Sequence, residues 1–331
     1  MRAMLLHRPL PAEQGPLRLE DIPAPTPGAG EIRLRIHCCG LCHTDLHTVE
    51  GELPLPLLPL VPGHQIVGTI DATGAGVRQF KEGDRVGIPW LYSTDQTCNY
   101  CQRDLENLCD RGRFTGYHVN GGYTEAITIH PAYAYPIPSV FPDEAAAPLL
   151  CAGIIGYRSY RLSGVREGER LGLYGFGASA HMVLQMARHR GNEVYVFTRA
   201  AVHRELAGEL GAAWVGAAED QPPHPLDAAI IFAPAGALVP HALRGLRKAG
   251  TLTLAGITMS AIPQIDYSLL YQERVVRSVA NSTRRDAREF LELAAKIPVK
   301  AEVTLYSLDE ANQALQDLKH SRLKAAGVLR I

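Results

Sequence analysis

The sequence predicts an α/β protein of two domains, one β-rich and one built on a doubly wound parallel sheet. Three observations carry that expectation. At 331 residues the chain exceeds what one hydrophobic core commonly organises. Residues 1–150 hold short apolar runs separated by Gly and Pro, as strands separated by turns do. From 151 to 282, strand-like runs alternate with helical ones, the pattern of βαβ units. Residues 283–331 mix two helical stretches with short strands and are expected to return to the first domain.

In the first domain, Ile32-Arg33-Leu34-Arg35-Ile36 alternates apolar and polar residues, as a strand with one buried face does, and Ile66-Val67-Gly68-Thr69-Ile70 nearly does. Pro25-Thr26-Pro27-Gly28 and Lys81-Glu82-Gly83-Asp84 punctuate such runs as turns. In the second domain a strand at 170–174 leads into a glycine turn and a helix over 178–190, closed by Gly191. A strand at 194–197, a helix near 202–210 and strands near 228–232 and 251–256 follow, and Ser278-Val279-Ala280 is expected to end that sheet. The last two helices are expected at 287–296 and 309–320.

Composition excludes several classes of function. The 33 Lys and Arg nearly cancel the 34 Asp and Glu, and no basic stripe or charge block exists for a nucleic acid to bind. No apolar run approaches the roughly 20 residues of a membrane span. The run Met1-Arg2-Ala3-Met4-Leu5-Leu6-His7-Arg8 is too briefly apolar for a signal peptide. A soluble cytoplasmic protein is expected. Seven cysteines is an odd number, and their spacing favours metal over disulfides.

Gly175-Phe176-Gly177-Ala178-Ser179-Ala180 fits the dinucleotide turn, because it follows a strand and opens a helix. Gly175 allows the tight turn, Gly177 lets the backbone approach a pyrophosphate, and Ala180 permits close helix–strand packing. The next strand ends in Phe197-Thr198-Arg199, with no acid at 198 or 199 for a ribose hydroxyl. A hydroxyl and a guanidinium suit a 2′-phosphate instead, which favours NADP(H) and leaves NAD(H) open.

Three separated side chains suit a catalytic zinc: Cys42 in Gly40-Leu41-Cys42-His43-Thr44-Asp45-Leu46-His47, His64 in Pro62-Gly63-His64, and Cys151 in Pro148-Leu149-Leu150-Cys151. A Cys2His set leaves the fourth tetrahedral position open to water or substrate. Thr44 offers a hydroxyl to take a substrate proton, and His47 a titrating ring to pass it to solvent. Asp45 can accept the second ring N–H of a metal-bound His64, and His43 is a candidate pyrophosphate contact. Cys38 and Cys39 read as small buried hydrophobes. A separate cluster, Cys98, Cys101 and Cys109, reads as a closed, structural site.

On these residues the chain resembles the zinc-dependent medium-chain alcohol dehydrogenases, including the cinnamyl-alcohol-dehydrogenase-like bacterial members. The resemblance also takes in Gly116-Tyr117 and Gly121-Gly122-Tyr123, and runs from end to end. It implies a GroES-like catalytic domain around an inserted Rossmann domain, with the active site in the cleft between them. It implies one catalytic and one structural zinc, a nicotinamide cofactor, a small alcohol or aldehyde as partner, and a homodimer or homotetramer joined through the Rossmann sheet edge.

Two departures stand out. The family places an acid after the zinc histidine, near the metal; here Gln65 keeps its shape without its charge. The family spaces four structural cysteines by 3, 3 and 8 positions, and here the first of them is Asp95. A carboxylate is an acceptable zinc ligand, so Asp95 completes a Cys3Asp site or else points to solvent. Where yeast-type relatives carry a pocket tryptophan, this chain has Leu53. Trp90 and Leu91 are expected as another wall, with Ile257 near the nicotinamide, which suits apolar primary alcohols and aldehydes. Two rivals are a zinc-free quinone or enone reductase on this scaffold and a cofactor-binding protein in which Gln65 marks lost catalysis.

Overall fold

The alternation that begins at Ile32 persists to the mouth of the cysteine motif. The strand spans Ile32–Leu41 and has neighbours on both edges. It is longer than the five-residue run that announces it because Cys38 and Cys39 are small and buried and pair with Arg330 and Leu329. The computed structural model describes residues 1–297 and 299–331. They form two compact units, Met1–Cys151 with Ser282–Ile331, and Ala152–Asn281.

The first unit is built on a seven-stranded sheet in the order Val303–Ser307, Ala326–Arg330, Ile32–Leu41, Gln65–Thr73, Arg85–Ile88 and Tyr135–Pro136, with Ala126–Ile129 also paired to Ile32–Leu41. All its pairs are antiparallel except Val303–Ser307 with Ala326–Arg330. The C-terminal segment is therefore woven into the first unit's sheet, as a neighbour of the strand that delivers Cys42. Its two α-helices span Arg284–Lys296 and Ala311–Lys319, each starting or ending within three residues of its sequence signal. One apolar core joins Ile32, Leu34, Ile66, Ile88, Tyr123 and Leu329.

The second unit holds a six-stranded, wholly parallel sheet. Its order is Trp214–Gly216, Glu193–Phe197, Arg170–Tyr174, Leu226–Ile231, Leu246–Leu254, Val275–Ser278. Numbered along the chain that is 3-2-1-4-5-6, the doubly wound dinucleotide-binding order, whose switch point lies beside the first strand. Near-continuous burial along Arg170–Tyr174 and Leu226–Ile231 reflects helices on both faces. Tyr174 and Phe197 stack across adjacent strands, ring centres 4.0 Å apart.

The last strand differs from expectation. It spans Val275–Ser278 and not Ser278-Val279-Ala280, and all four residues are exposed. It is an edge strand with no second layer over it, so burial does not impose the apolar period that locates interior strands. Among the described residues, no helix is long and apolar enough to cross a membrane.

Candidate metal centre and dinucleotide turn

Cys42 ends the strand Ile32–Leu41 and begins the helix His43–Glu50 in the same stroke. Its extended backbone makes it the helix N-cap, its Sγ accepts from Thr44 N–H, and its own N–H donates to Asp45 Oδ2 at 2.9 Å. A capping box of this kind fixes both the helix start and the direction of the thiol. His64 sits on the approach to the strand Gln65–Thr73, which pairs with Ile32–Leu41 through Gly40 and Gln65. Cys151 follows the short helical turn Ala147–Leu150. All three belong to the first unit.

Their donor atoms converge. Cys42 Sγ lies 3.4 Å from His64 Nε2 and 3.9 Å from Cys151 Sγ, and His64 Nε2 lies 3.3 Å from Cys151 Sγ. A tetrahedral zinc with ordinary bond lengths sets sulfurs about 3.8 Å apart and sulfur and nitrogen about 3.6 Å apart. The triangle fits such an ion to within a few tenths of an ångström.

Asp45 organises this triangle from behind. Its side chain and that of His64 are each 1% exposed, and its Oδ1 accepts from both His64 Nδ1 and Gly63 N–H at 3.1 Å. In a neutral ring Asp45 selects the Nδ1–H tautomer, which turns the Nε2 lone pair toward the sulfurs, although, against burial, Asp45 and Cys42 favour the charged ring and raise its pKa to about 10. Burial pushes the Asp45 carboxyl up, with His64 opposing. Hydrogen bonding to Cys151 draws Cys42 toward the thiolate, and the same contact with burial pushes Cys151 up. A cation held by the two sulfurs would displace thiol protons.

Around the triangle, Trp90 meets the His64 ring edge-on at 4.8 Å, stacks on Phe114 at 5.2 Å and tilts against Tyr117 at 5.8 Å. Leu91 is not part of that wall. It is 4% exposed and packs in the apolar core. Leu53 is half-buried, and Ile257, in the second unit, is exposed. Gln65 is buried, and its Nε2 has no hydrogen-bond partner among the described residues. Thr44 is half-buried at the helix start, His43 is exposed, and the His43 and His47 rings lie 6.2 Å apart.

The second cluster also converges. One ligand atom from each of Asp95, Cys98, Cys101 and Cys109 lies within 4.8 Å of the others. Asp95 turns into this loop, its Oδ1 accepting from Thr97 N–H at 3.0 Å and Cys98 N–H at 2.9 Å. These backbone donors hold its carboxyl well below the usual range. One oxygen is so occupied, and a carboxylate has a second for a cation.

In the second unit, Gly175 takes φ +83°, where a Cβ would meet Ala233 at 3.0 Å. At Gly177 nothing lies within 4 Å of the missing Cβ, so the space beside the backbone is open to a ligand. Gly177 caps the helix Ala178–His189 without a side-chain bond, which leaves its first N–H groups to an anion. Phe176 and Ala180 are buried beneath the turn, with Ala178 and Ser179 half-buried above it. The turn fits a dinucleotide. Thr198 is buried at the end of the second strand and Arg199 is exposed beside it.

Two residues near these sites, Glu52 and Arg204, carry no sequence signal of their own, and a third, Tyr117, has a contact its motif does not announce. Glu52 Oε2 lies 2.6 Å from His47 Nδ1. Tyr117 O–H donates to Pro54 O at 2.5 Å. Arg204 Nε donates to Thr198 O at 2.9 Å, adding a second guanidinium at the ribose end.

Comparison with known proteins gives a consistent family. Residues 28–139 match the alcohol dehydrogenase GroES-like domain, and residues 180–296 match the zinc-binding dehydrogenase family. The chain is 46% identical to a probable alcohol dehydrogenase of Mycobacterium tuberculosis, over 100% of this chain and 97% of that one. Its fold matches a cinnamyl alcohol dehydrogenase of Sorghum bicolor with TM-score 0.90 at 26% identity, covering 99% and 97% of the two chains. It also matches a Helicobacter pylori protein, described as CAD in complex with NADP(H), with TM-score 0.88 at 26% identity, covering 100% and 99%.

Asp45→Asn keeps the shape of the buried contact but removes its charge. Zinc affinity at the Cys42–His64–Cys151 site is expected to fall about 10- to 100-fold, as outer partners of metal histidines typically cost. Chelator competition measures this, and an unchanged affinity would deny Asp45 its part.

Proposed function

The chain belongs to the zinc-dependent medium-chain alcohol dehydrogenase family, and from that premise we propose that it is a zinc alcohol dehydrogenase exchanging hydride between a primary alcohol, or its aldehyde, and a nicotinamide cofactor. The observation that carries this reading is the meeting of two sulfurs and an imidazole nitrogen at separations between 3.3 and 3.9 Å. A zinc ion there would supply Lewis acidity at the substrate oxygen, and a nicotinamide the means to take up or return hydride.

The chain's own residues do the rest. Cys42 and Cys151 grip as thiolates and His64 as a neutral imidazole, and two negative charges balance a divalent ion. Thr44 offers its hydroxyl to the substrate's proton, and His47 delivers that proton to solvent. Gln65 sits behind the site with an amide where relatives hold an acid. Trp90, with Leu53 as the other pocket candidate of the first unit, suits a medium-sized apolar substrate. Asp95, Cys98, Cys101 and Cys109 would hold a second zinc, which would brace their loop.

The turn from Gly175 to Ala180 holds the pyrophosphate. Thr198 and Arg199, reinforced by Arg204, favour NADP(H) over NAD(H). No acid stands at 198 or 199, and the Helicobacter pylori neighbour is described with NADP(H) bound. The edge strand Val275–Ser278 and the exposed Tyr267 and Tyr271 beside it in sequence support self-association through the second unit's sheet, as a homodimer or a tetramer built from it.

Four outcomes test the reading. Metal analysis should find about two zinc ions per chain, one per cluster; none would turn the reading toward a reductase without metal. Cys42→Ala should abolish alcohol oxidation and leave dinucleotide binding intact, and undiminished turnover would sink the zinc mechanism. Arg199→Ala should weaken NADPH about tenfold, the worth of one charge-assisted hydrogen bond, with little change for NADH. Equal losses would refute the phosphate contact. Light scattering should give at least a dimer, and Val276→Lys, a charge on the edge strand, should shift it toward monomer; a wild-type monomer would end the edge proposal.

A further inference from the structure

The helix that carries Thr44 and His47 ends in a way that bears on the chemistry. His43–Glu50 closes at Gly51, in the left-handed region at φ +77°. Gly51 N–H donates to Thr48 O at 3.2 Å, and Glu52 N–H donates to His47 O at 3.0 Å. This is the paired pattern of a Schellman turn, which returns the residue after the glycine to the residue five before it. Here those two residues are an acid and a histidine. Their side chains meet as their backbones do, with Glu52 Oε2 2.6 Å from His47 Nδ1.

Two further contacts keep the turn in place. A Cβ on Gly51 would meet Pro9 at 2.7 Å, so the chain is packed closely on the outer side of the glycine. Two residues past Glu52, Pro54 O accepts from the Tyr117 hydroxyl. Glu52 is thus held from both sides, although its side chain is 52% exposed against 11% for His47.

We infer that Glu52 is a positioning residue for the reaction: it holds His47 as the Nδ1–H tautomer, so that Nε2 is the nitrogen that accepts the substrate-derived proton. A neutral imidazole has one donor and one acceptor nitrogen, and the partner of one decides the role of the other. When the ring takes its proton at Nε2, the Glu52 carboxylate stands against the positive charge that forms. The proton then leaves Nε2 for water and the ring returns to its starting tautomer. The inference rests on the dehydrogenase reading for its role in turnover, but the tautomer does not depend on that reading.

The test uses the full-length protein with Glu52→Gln, Glu52→Asp, His47→Gln and the double variant. Ring nitrogen-15 chemical shifts, with His47 assigned by its loss in His47→Gln, should show a proton on Nδ1 in the wild type. In Glu52→Gln they should show a mixture of tautomers. The turnover number for alcohol oxidation should fall about tenfold in Glu52→Gln, part of the general-base contribution, while cofactor affinity holds. Glu52→Asp should recover part of the loss. In the His47→Gln background, Glu52→Gln should cost nothing more. An Nδ1–H tautomer that survives Glu52→Gln, or a Glu52→Gln loss that persists undiminished without His47, overturns the inference. A wild type inactive on every alcohol tried sinks the dehydrogenase reading instead, and the nitrogen shifts still decide the tautomer.

Discussion

One buried carboxylate holds the metal-binding geometry of this protein together. Asp45 takes the Cys42 N–H on one oxygen and the Gly63 N–H and His64 ring on the other. Those donors come from two pieces of chain that share only sheet pairing. Without that charge the helix start, the thiol direction and the imidazole tautomer would be separate adjustments. With it they become one rigid object, because a buried anion is tolerable only when its hydrogen bonds are satisfied. The cost of burying Asp45 is met by three N–H groups, and the return is preorganisation of two of the metal's three donors.

The fold class was legible in the chain because it depends on period. Strand and helix periods alternate through the second unit, and the observed parallel order places the glycine turn where its motif requires. The edge strand at Val275–Ser278 escaped because nothing covers it, and an uncovered strand owes no alternation. Trp90 and Leu91 are adjacent in sequence, but one side chain meets the His64 ring and the other packs in the core, a division that adjacency in sequence does not reveal.

At the metal centre, the ligand types and their glycine contexts stand in the sequence, whereas distances between donors from positions 42, 64 and 151 do not. Glu52 shows the limit most clearly. An acid after a helix-terminating glycine is unremarkable in composition and matches no motif. Its meaning lies in the closing turn, which carries it back over His47, and that follows from backbone geometry specific to the left-handed glycine. Arg204 is similar, since its bond to Thr198 O exists only once helix and strand are packed.

The two cysteine clusters divide the labour by burial and connectivity. The Cys42–His64–Cys151 donors come from three distant points of one unit, and the histidine among them is almost fully buried. Their alignment is the product of the whole first-unit fold, so small strains anywhere in that fold reach the donors. The Asp95–Cys98–Cys101–Cys109 donors sit within one loop, where local hydrogen bonds such as Cys98 N–H to Asp95 do the aligning. That loop is tied to the returning C-terminal segment by Glu106, whose Oε1 accepts from Arg284 N–H at 2.8 Å and lies 3.3 Å from its Nε. A local cluster braced in this way can hold a metal without communicating strain. A dispersed one cannot, and it is the dispersed set, with three donors and not four, that would leave a tetrahedral position for chemistry.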